Sequence, residues 1–251
     1  MTAEAQATQA LLEDLRQRYT ELLKRFEGNQ AELHRLARSV YRVQEAERRR
    51  VALELHDGLG QNLTALKNQL SLVKDALQPD QTEARERMSA AIELCSNTLA
   101  DTRELSRLLR PQILDDFGLE AALHWLVRTL VKSSELQIEI QVDPLPALDR
   151  DVQTVLFRIA QEALGNTLRH SRAREAMIKL GLRAGWLRLT IWDDGEGFDV
   201  DAAQAAASRG QSSGLAGMRE RAMLYGGKLS VESGKGGTWL RVARPQGMLP
   251  R

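Results

Sequence analysis

The 251-residue chain holds a single cysteine, Cys95, which rules out an internal disulfide and any metal site built from several thiolates. Cys95 stands among Met88, Ala91, Leu94 and Leu99, the surroundings of a buried thiol. No excess of one charge is present either, with 35 basic residues against 34 acidic ones. Nothing global therefore calls for nucleic acid or an anionic membrane as partner. Apolar runs fall far short of the roughly 18 residues that a membrane-spanning helix needs, and no basic-then-apolar signal segment opens the chain. These absences imply a soluble protein of cytoplasmic type. What is present is 43% hydrophobic residues, enough for one large core or two modest ones.

Turn signals are scarce in the first third, where residues 8 to 77 carry little beyond Gly28 and Gly58. Leu12, Leu15, Tyr19, Leu22, Phe26, Asn29, Leu33, Leu36, Val40 and Val43 alternate at spacings of three and four. With charges between them, they predict a coiled coil whose one polar seam position, Asn29, can set register. At Glu47 and Arg50 the seam turns polar, and an apolar stripe resumes shifted at Ala52 and Leu55. It continues through Leu59, Leu63, Leu66, Leu70, Val73 and Leu77, which predicts a buried helical face. His56 and Asp57 sit side by side just off that stripe, and packing needs neither. A turn at Gln78-Pro79-Asp80 leads into a second heptad, Met88, Ala91, Cys95, Thr98, Thr102, Leu105 and Leu109. Two such helices cannot cover both apolar faces alone, whereas two hairpins paired as a four-helix bundle can.

Past Pro111 the pattern changes. LDDFGLEAALHWLVRTLVKS reads as a helix with an acidic, glycine-bearing start, QIEIQV as a strand, and DVQTVLFRIAQEALGNTLRHS as a helix capped by Asp151. AMIKLGLRAGWLRLTIWDDG predicts a hairpin turning at Ala184-Gly185. AAQAAASRGQSSG reads as a mobile loop, GLAGMRERAMLYGG as a helix with a glycine stop, and KLSVES with GTWLRVAR as a closing strand pair. The implied fold is an α+β sandwich, one mixed sheet covered by helices on one face, behind a mainly α coiled coil and dimeric four-helix bundle.

Four spots in this half converge on one kind of ligand. Glu162, Asn166 and His170 are spaced by four along one helix, and a carboxylate with a carboxamide suits a magnesium ion that bridges phosphates. DDGEGFD puts acids and glycines at a strand end, where backbone can approach a flat ligand. GLAGMRER opens a helix with glycines, so that free N–H groups can face phosphate oxygens. Gly236-Gly237-Thr238 precedes the last strand. The four tryptophans, Trp125, Trp186, Trp192 and Trp239, read as core or pocket wall.

Together these motifs resemble a two-component sensor histidine kinase, of the subfamily that joins a nitrate-sensor-type dimerisation and phosphoacceptor bundle to a Bergerat-fold ATPase domain. ERRRVALELHDGLGQNL resembles its histidine box, LRPQILDDFGLEAAL its connecting motif, RIAQEALGNTLRH its asparagine box, and DDGEGF with GLAGMRERA its two glycine boxes. The resemblance covers roughly residues 46 to 245 and divides the chain into a coiled-coil signalling helix (1–46), a dimerisation and histidine phosphotransfer domain (47–112) and a catalytic ATP-binding domain (113–251).

The resemblance implies that His56 accepts the γ-phosphoryl group of ATP while Asp57 orients its ring. It makes Asn166 a ligand of Mg2+, with Glu162 acting through a bound water or as base. It implies that Asp193, and not Asp194, accepts the adenine amino group. Gly195 and Gly197 start the lid beside the purine, Gly214 and Gly217 offer amides to the phosphates, and Thr238 lines the adenine end. His170 is expected to contact phosphate or cap its helix, and Arg219 to form surface ion pairs. The D-x-x-x-Q pattern from Asp57 to Gln61 marks members that also dephosphorylate their partner. Implied partners are a second copy of the chain and the receiver domain of a response regulator, with input from an upstream sensor or membrane segment outside this sequence. One departure is an alanine-rich lid region with Arg209 as its only basic residue. Two other classes compete: a Bergerat-fold ATPase without phosphohistidine, which has no use for the His56–Asp57 helix, and an anti-sigma-type serine kinase, which leaves the long helical stalk unexplained.

Overall fold

The computed structural model describes residues 3–109, 112–131, 134–209 and 214–246, so Pro111 and residues 210–213 lie outside the description. The chain forms two compact units, Met1–Glu47 and Arg48–Arg251. In the first, helix α1 (Ala3–Glu54) runs through Gly28 without a break. Its apolar seam is open to solvent: Leu12, Leu15, Tyr19, Leu22, Phe26, Leu33, Leu36, Val40 and Val43 are all more than half exposed. Among the described residues no helix is long and apolar enough to cross a membrane.

The second unit begins on the last turns of α1. A five-residue π turn (Leu55–Leu59) follows, in which the Gly60 N–H reaches back to the Leu55 carbonyl, and α2 (Gly60–Ala76) continues from it. The extra residue explains a discrepancy in the expected stripe. Ala52 and Leu55 pack inward, and the inward line then steps by five to Gly60, Leu63, Leu70 and Leu77. Leu59, Leu66 and Val73, expected in the same buried face, are about half exposed. The hairpin closes as Arg85 Nη1 donates to the Leu77 carbonyl (2.8 Å), capping α2. Helix α3 (Thr82–Leu109) then packs back along α2 and the π turn. It buries Cys95, Leu99, Thr102 and Ser106, which leaves Leu105 of the expected heptad exposed. Cys95 is the buried thiol expected, and its Sγ donates to the Leu63 carbonyl at 3.2 Å.

The remainder is the mixed sandwich. Helix α4 (Gln112–Leu130) kinks at Gly118, whose φ of 79° a side chain rarely adopts. Strand β1 (Gln137–Val142), helix α5 (Arg150–Asn166) and strand β2 (Glu175–Arg183) form a β-α-β unit with the strands parallel. The hairpin to β3 (Trp186–Asp193) turns through Ala184 and Gly185, both with positive φ. Strands β4 (Lys228–Gly234) and β5 (Gly237–Pro245) complete a five-stranded sheet of order β1-β2-β3-β5-β4. Alternation on β3 sends Leu187, Leu189, Ile191 and Asp193 toward the helices. They meet a core of Leu123, Leu126, Phe157, Ile159, Leu164 and Met218, each with almost no exposure. Burying each such side chain is worth roughly 1.5–3 kcal/mol.

Three further expectations change. The cap of α5 is Asp149, whose Oδ1 accepts from the Asp151 N–H at 2.9 Å; Asp151 already lies in the first turn. The alanine-rich segment is a helix over its first half, α6 (Val200–Ser208), because alanine is the best helix former and Asp199 caps the start by accepting from the Ala202 N–H. The tryptophans are neither deep core nor pocket wall. Trp192 and Trp239 pair at 5.7 Å as cross-strand neighbours in the sheet, with Arg241 over the Trp239 ring.

Candidate functional site

The C-terminal end of β3 places Asp193 at the floor of a cavity of about 430 Å³. Its carboxylate is 5% exposed and is held at both oxygens: the Gly195 N–H donates to Oδ1 (3.0 Å) and Thr167 Oγ1 donates to Oδ2 (3.1 Å). Burial pushes the Asp193 carboxyl above the usual carboxylate range, against the lowering effect of these two donors. Asp194 takes a different part. Its Oδ1 accepts from the N–H groups of Arg174 and Glu175 at the start of β2, and these bonds hold its carboxyl below the usual range. Only the first acid of the pair faces the cavity.

Each wall of the cavity comes from a different element. The end of α5 supplies Glu162 and Asn166, and a second π turn (Thr167–Ser171) supplies Thr167 and His170. Strand β5 supplies Thr238, opposite Asp193 in register, and Leu240. Helix α7 (Gly214–Leu224) enters with its N-terminus, where a side chain at Gly214 would crowd Glu162 Oε1. Gly197, at φ 69°, and Phe198 close the lid side. Three glycines here are imposed by close approach: a Cβ at Gly195 would collide with Ser171, one at Gly197 with the Gly234 backbone, and one at Gly237 with the Asp193 carbonyl. Gly195 therefore shapes the carboxylate's backbone partner without lining the cavity. Gly217 and Arg219 do not line it either.

Sequence reasoning missed Thr167, Phe198 and the apolar wall of Ile191, Met218, Val231 and Leu240. Thr167 stands next to Asn166 and continues the buried line of α5 four residues after Ala163, which brings its hydroxyl to Asp193. Ser233 was also missed; its Oγ accepts from the Phe198 N–H and pairs with Thr238 Oγ1, both at 2.9 Å, pinning the lid's root to the β4–β5 turn. For a divalent cation the donors present are Glu162 and Asn166. Among the described residues no group of three or more His, Cys, Asp or Glu could hold a metal, so any ion here would take its remaining ligands from water and substrate, the habit of magnesium. Asn166 Oδ1 accepts from Arg169 at 3.0 Å.

In the helical hairpin, His56, Asp57 and Gln61 line one hollow of about 350 Å³ together with Gly60, Thr64, Ala65, Asn68 and Arg103 of α3. All three are exposed. No hydrogen bond joins His56 to Asp57 among the described residues.

Residues 47–114 match the family model described as histidine kinase, and residues 151–247 the one described as histidine kinase-, DNA gyrase B- and HSP90-like ATPase. The chain belongs to the sensor histidine kinases, of the nitrate-sensor type. It is 33% identical over 85% of its length to the sensor histidine kinase MctS of Rhizobium johnstonii, covering 46% of that protein. It is 33% identical over 90% of its length to the sensor histidine kinase LiaS of Bacillus subtilis, covering 63%. The signal transduction histidine-protein kinase/phosphatase UhpB of Salmonella typhimurium is also 33% identical, over 92% of the chain and 45% of that protein. The chain thus spans about half the length of these curated relatives.

The raised Asp193 carboxyl has a consequence for stability. A proton binds this group more readily in the folded protein than in the unfolded one, so its contribution is full below the ordinary carboxylate value. That contribution is lost as pH rises through the raised value. Asp193→Asn keeps a partner for both the Gly195 N–H and Thr167 and removes the charge. Urea unfolding of the nucleotide-free protein should show this downward step with rising pH, and in Asp193→Asn the step should be absent; identical profiles in both proteins would refute it.

Proposed function

We propose that this chain is the kinase core of a two-component sensor, using ATP to phosphorylate its own His56 and passing the phosphoryl group to an aspartate of a response regulator. The observation that carries the reading is the joint presence of an exposed His56–Asp57 pair on a helical hairpin and a cavity floored by a buried, doubly hydrogen-bonded Asp193. A Bergerat-fold ATPase without phosphohistidine is not favoured, because it has no need of residues 47–114 as a histidine kinase region. A serine kinase fails for the same reason.

In this reading adenine lies on Asp193, which accepts from its amino group, with Thr238 beside it and Met218, Ile191 and Leu240 as the apolar wall. The phosphates lie toward Asn166 and the N-terminus of α7, where free N–H groups and the helix dipole favour negative charge. Glu162 and Asn166 would hold Mg2+, which would supply positive charge to neutralise the phosphates. A lone pair on the His56 ring attacks the γ-phosphorus; the N–P bond forms as the bond to the bridging oxygen breaks, and ADP leaves. Asp57 takes the hydrogen bond from the other ring nitrogen as positive charge develops there. In the second step a regulator carboxylate attacks phosphorus and the N–P bond breaks. The domain limits 1–46, 47–112 and 113–251 fit this division of work.

Labelling with γ-labelled Mg-ATP tests it: the product should be a phosphoramidate lost in mild acid and stable in base. His56→Gln should abolish the label and keep nucleotide binding. A label that survives in that variant, or resists acid, would place the serine-kinase reading ahead.

The same reading makes the chain a parallel homodimer. Its support is the row of more than half-exposed apolar residues from Leu12 to Val43, together with half-exposed Leu59, Leu66 and Val73 at seven-residue spacing on the hairpin. Light scattering at micromolar concentration should give twice the chain mass, and a monomer there would end the idea.

Gln61 lines the same hollow as His56, one turn beyond Asp57. Its amide can hold a water in line with the regulator's aspartyl phosphate without itself reacting. A relative named as a kinase/phosphatase supports this second activity. Gln61→Ala should slow dephosphorylation of the regulator about 100-fold, the cost of misplacing a reacting group, and leave His56 labelling near the parent rate. Equal losses in both activities would make Gln61 a support of the bundle.

A further inference from the structure

Asp57 creates an electrostatic problem that the proposed mechanism leaves open. A phosphoryl group on His56 brings about two negative charges, as phosphate esters do near neutral pH, into a hollow that already contains a carboxylate. Like charges a few ångströms apart repel even near a protein surface. Among the described residues the hollow's lining holds one side chain with a permanent positive charge, Arg103.

Several exposed arginines on the helices are tied to an acid one turn away, as Arg25 is to Glu21, Arg50 to Glu54 and Arg87 to Glu83. The positions three and four residues from Arg103 are Leu99, Ala100, Ser106 and Arg107, so its own helix offers no acidic partner. It makes no hydrogen bond or ion pair in the described structure, not even with Asp57 across the hollow. Its guanidinium donors are therefore unspent.

The surroundings fix where that guanidinium works. Helix α3 packs on the π turn that carries His56, and two of its side chains fasten it to the first arm of the hairpin on either side of that turn. Ser106 Oγ donates to the Ala52 carbonyl at 2.7 Å, and Cys95 Sγ donates to the Leu63 carbonyl at 3.2 Å. Arg103 lies between these two anchors in sequence, so α3 cannot slide it away from His56 without breaking one of them. Thr64 and Asn68 add neutral donors to the same hollow.

We infer that Arg103 is a catalytic residue of phosphoryl transfer, binding the equatorial oxygens of the phosphoryl group at His56. The inference rests on His56 being the phosphoacceptor. A planar guanidinium can donate to two phosphoryl oxygens at once, which a lysine ammonium cannot match. Negative charge spreads over those oxygens as the N–P bond forms and the bond to ADP breaks. Arg103 stabilises that charge and offsets Asp57, which lets the carboxylate orient the ring without repelling the incoming group. The same contact serves the return step, when the N–P bond breaks in favour of the regulator's carboxylate.

The experiment uses the full chain with γ-labelled Mg-ATP and the variants Arg103→Gln, Arg103→Lys and His56→Gln. It reads the initial rate of acid-labile labelling, the affinity for a non-hydrolysable ATP analogue, and the thermal midpoint. Arg103→Gln should label roughly 100-fold more slowly, the loss typical of removing one donor to a developing oxyanion. Arg103→Lys should recover part of that rate, with analogue affinity and thermal midpoint equal to the parent's in both. Labelling of Arg103→Gln at the parent rate overturns the inference. So does an equal loss in both variants with a lowered thermal midpoint, which would make Arg103 a support of the hairpin. If the parent does not label, or His56→Gln still labels, the phosphoacceptor reading itself falls, and the role of Arg103 falls with it.

Discussion

A buried carboxylate is expensive, and the cavity end of the sandwich is arranged around one. Asp193 sits where β3 ends, 5% exposed, and an isolated ion there would cost several kcal/mol. Its two donors come from opposite directions, the Gly195 N–H just beyond the strand and the Thr167 hydroxyl from the end of α5. Both approaches demand small neighbours. Gly195 must lie against Ser171, and Gly237 must lie against the Asp193 carbonyl. Thr238 faces Asp193 in register only because β5 starts at that glycine. Gly195 and Gly237 thus serve one acid before they serve any ligand.

Both sites lie beside a π turn, and at the first the turn changes what the helix presents. At Leu55–Leu59 the inserted residue ends one inward line at Leu55 and starts another at Gly60, leaving His56 and Asp57 outside both. The second, at Thr167–Ser171, begins where α5 has already turned Thr167 inward to Asp193, and it carries His170 at the cavity wall. Such turns are less stable than regular helix and recur at functional positions. Here the weakness is offset locally. Ser106 and Cys95 hold carbonyls on either side of the first turn, and Ser171 closes the second by donating to the Thr167 carbonyl at 2.8 Å.

Much of this was legible in the sequence, for identifiable reasons. Strand alternation and turn chemistry located all five strands, including the Ala184-Gly185 turn, because a positive φ there asks for glycine. The choice of Asp193 over Asp194 came from the resemblance, which puts the first acid of D-x-G-x-G at the site, and the structure turns only Asp193 into the cavity. The π turns were not legible. Nothing in HDGLG or TLRHS marks a five-residue step, so the hairpin's apolar residues read as one face where the structure has two. The alanine-rich lid was misread because its small side chains suggest a loop, although alanine and an Asp199 cap favour helix. Thr167 and Ser233 escaped because their importance lies in a partner distant in sequence.

The two sites are also joined by covalently adjacent helices and one buried arginine. Arg158, on the inward side of α5 and 4% exposed, donates to the Leu108 and Leu109 carbonyls at the end of α3, at 3.4 and 2.5 Å. Gln161 adds a third bond to Leu108 at 3.1 Å and accepts from Arg158 at 2.8 Å. These carbonyls are the unpaired acceptors every helix leaves at its C-terminus. One residue after Gln161 comes Glu162, and one turn later Asn166, both on the cavity wall. The helix that carries Arg103 beside His56 therefore ends on the helix that carries the proposed magnesium ligands. Rotating α3 about its axis moves its last carbonyls off the Arg158 guanidinium, at roughly 1.5–3 kcal/mol for each such bond to a charged group. That cost is avoided only if α5 moves as well, so a change of phase in the hairpin cannot leave the geometry of the nucleotide cavity untouched.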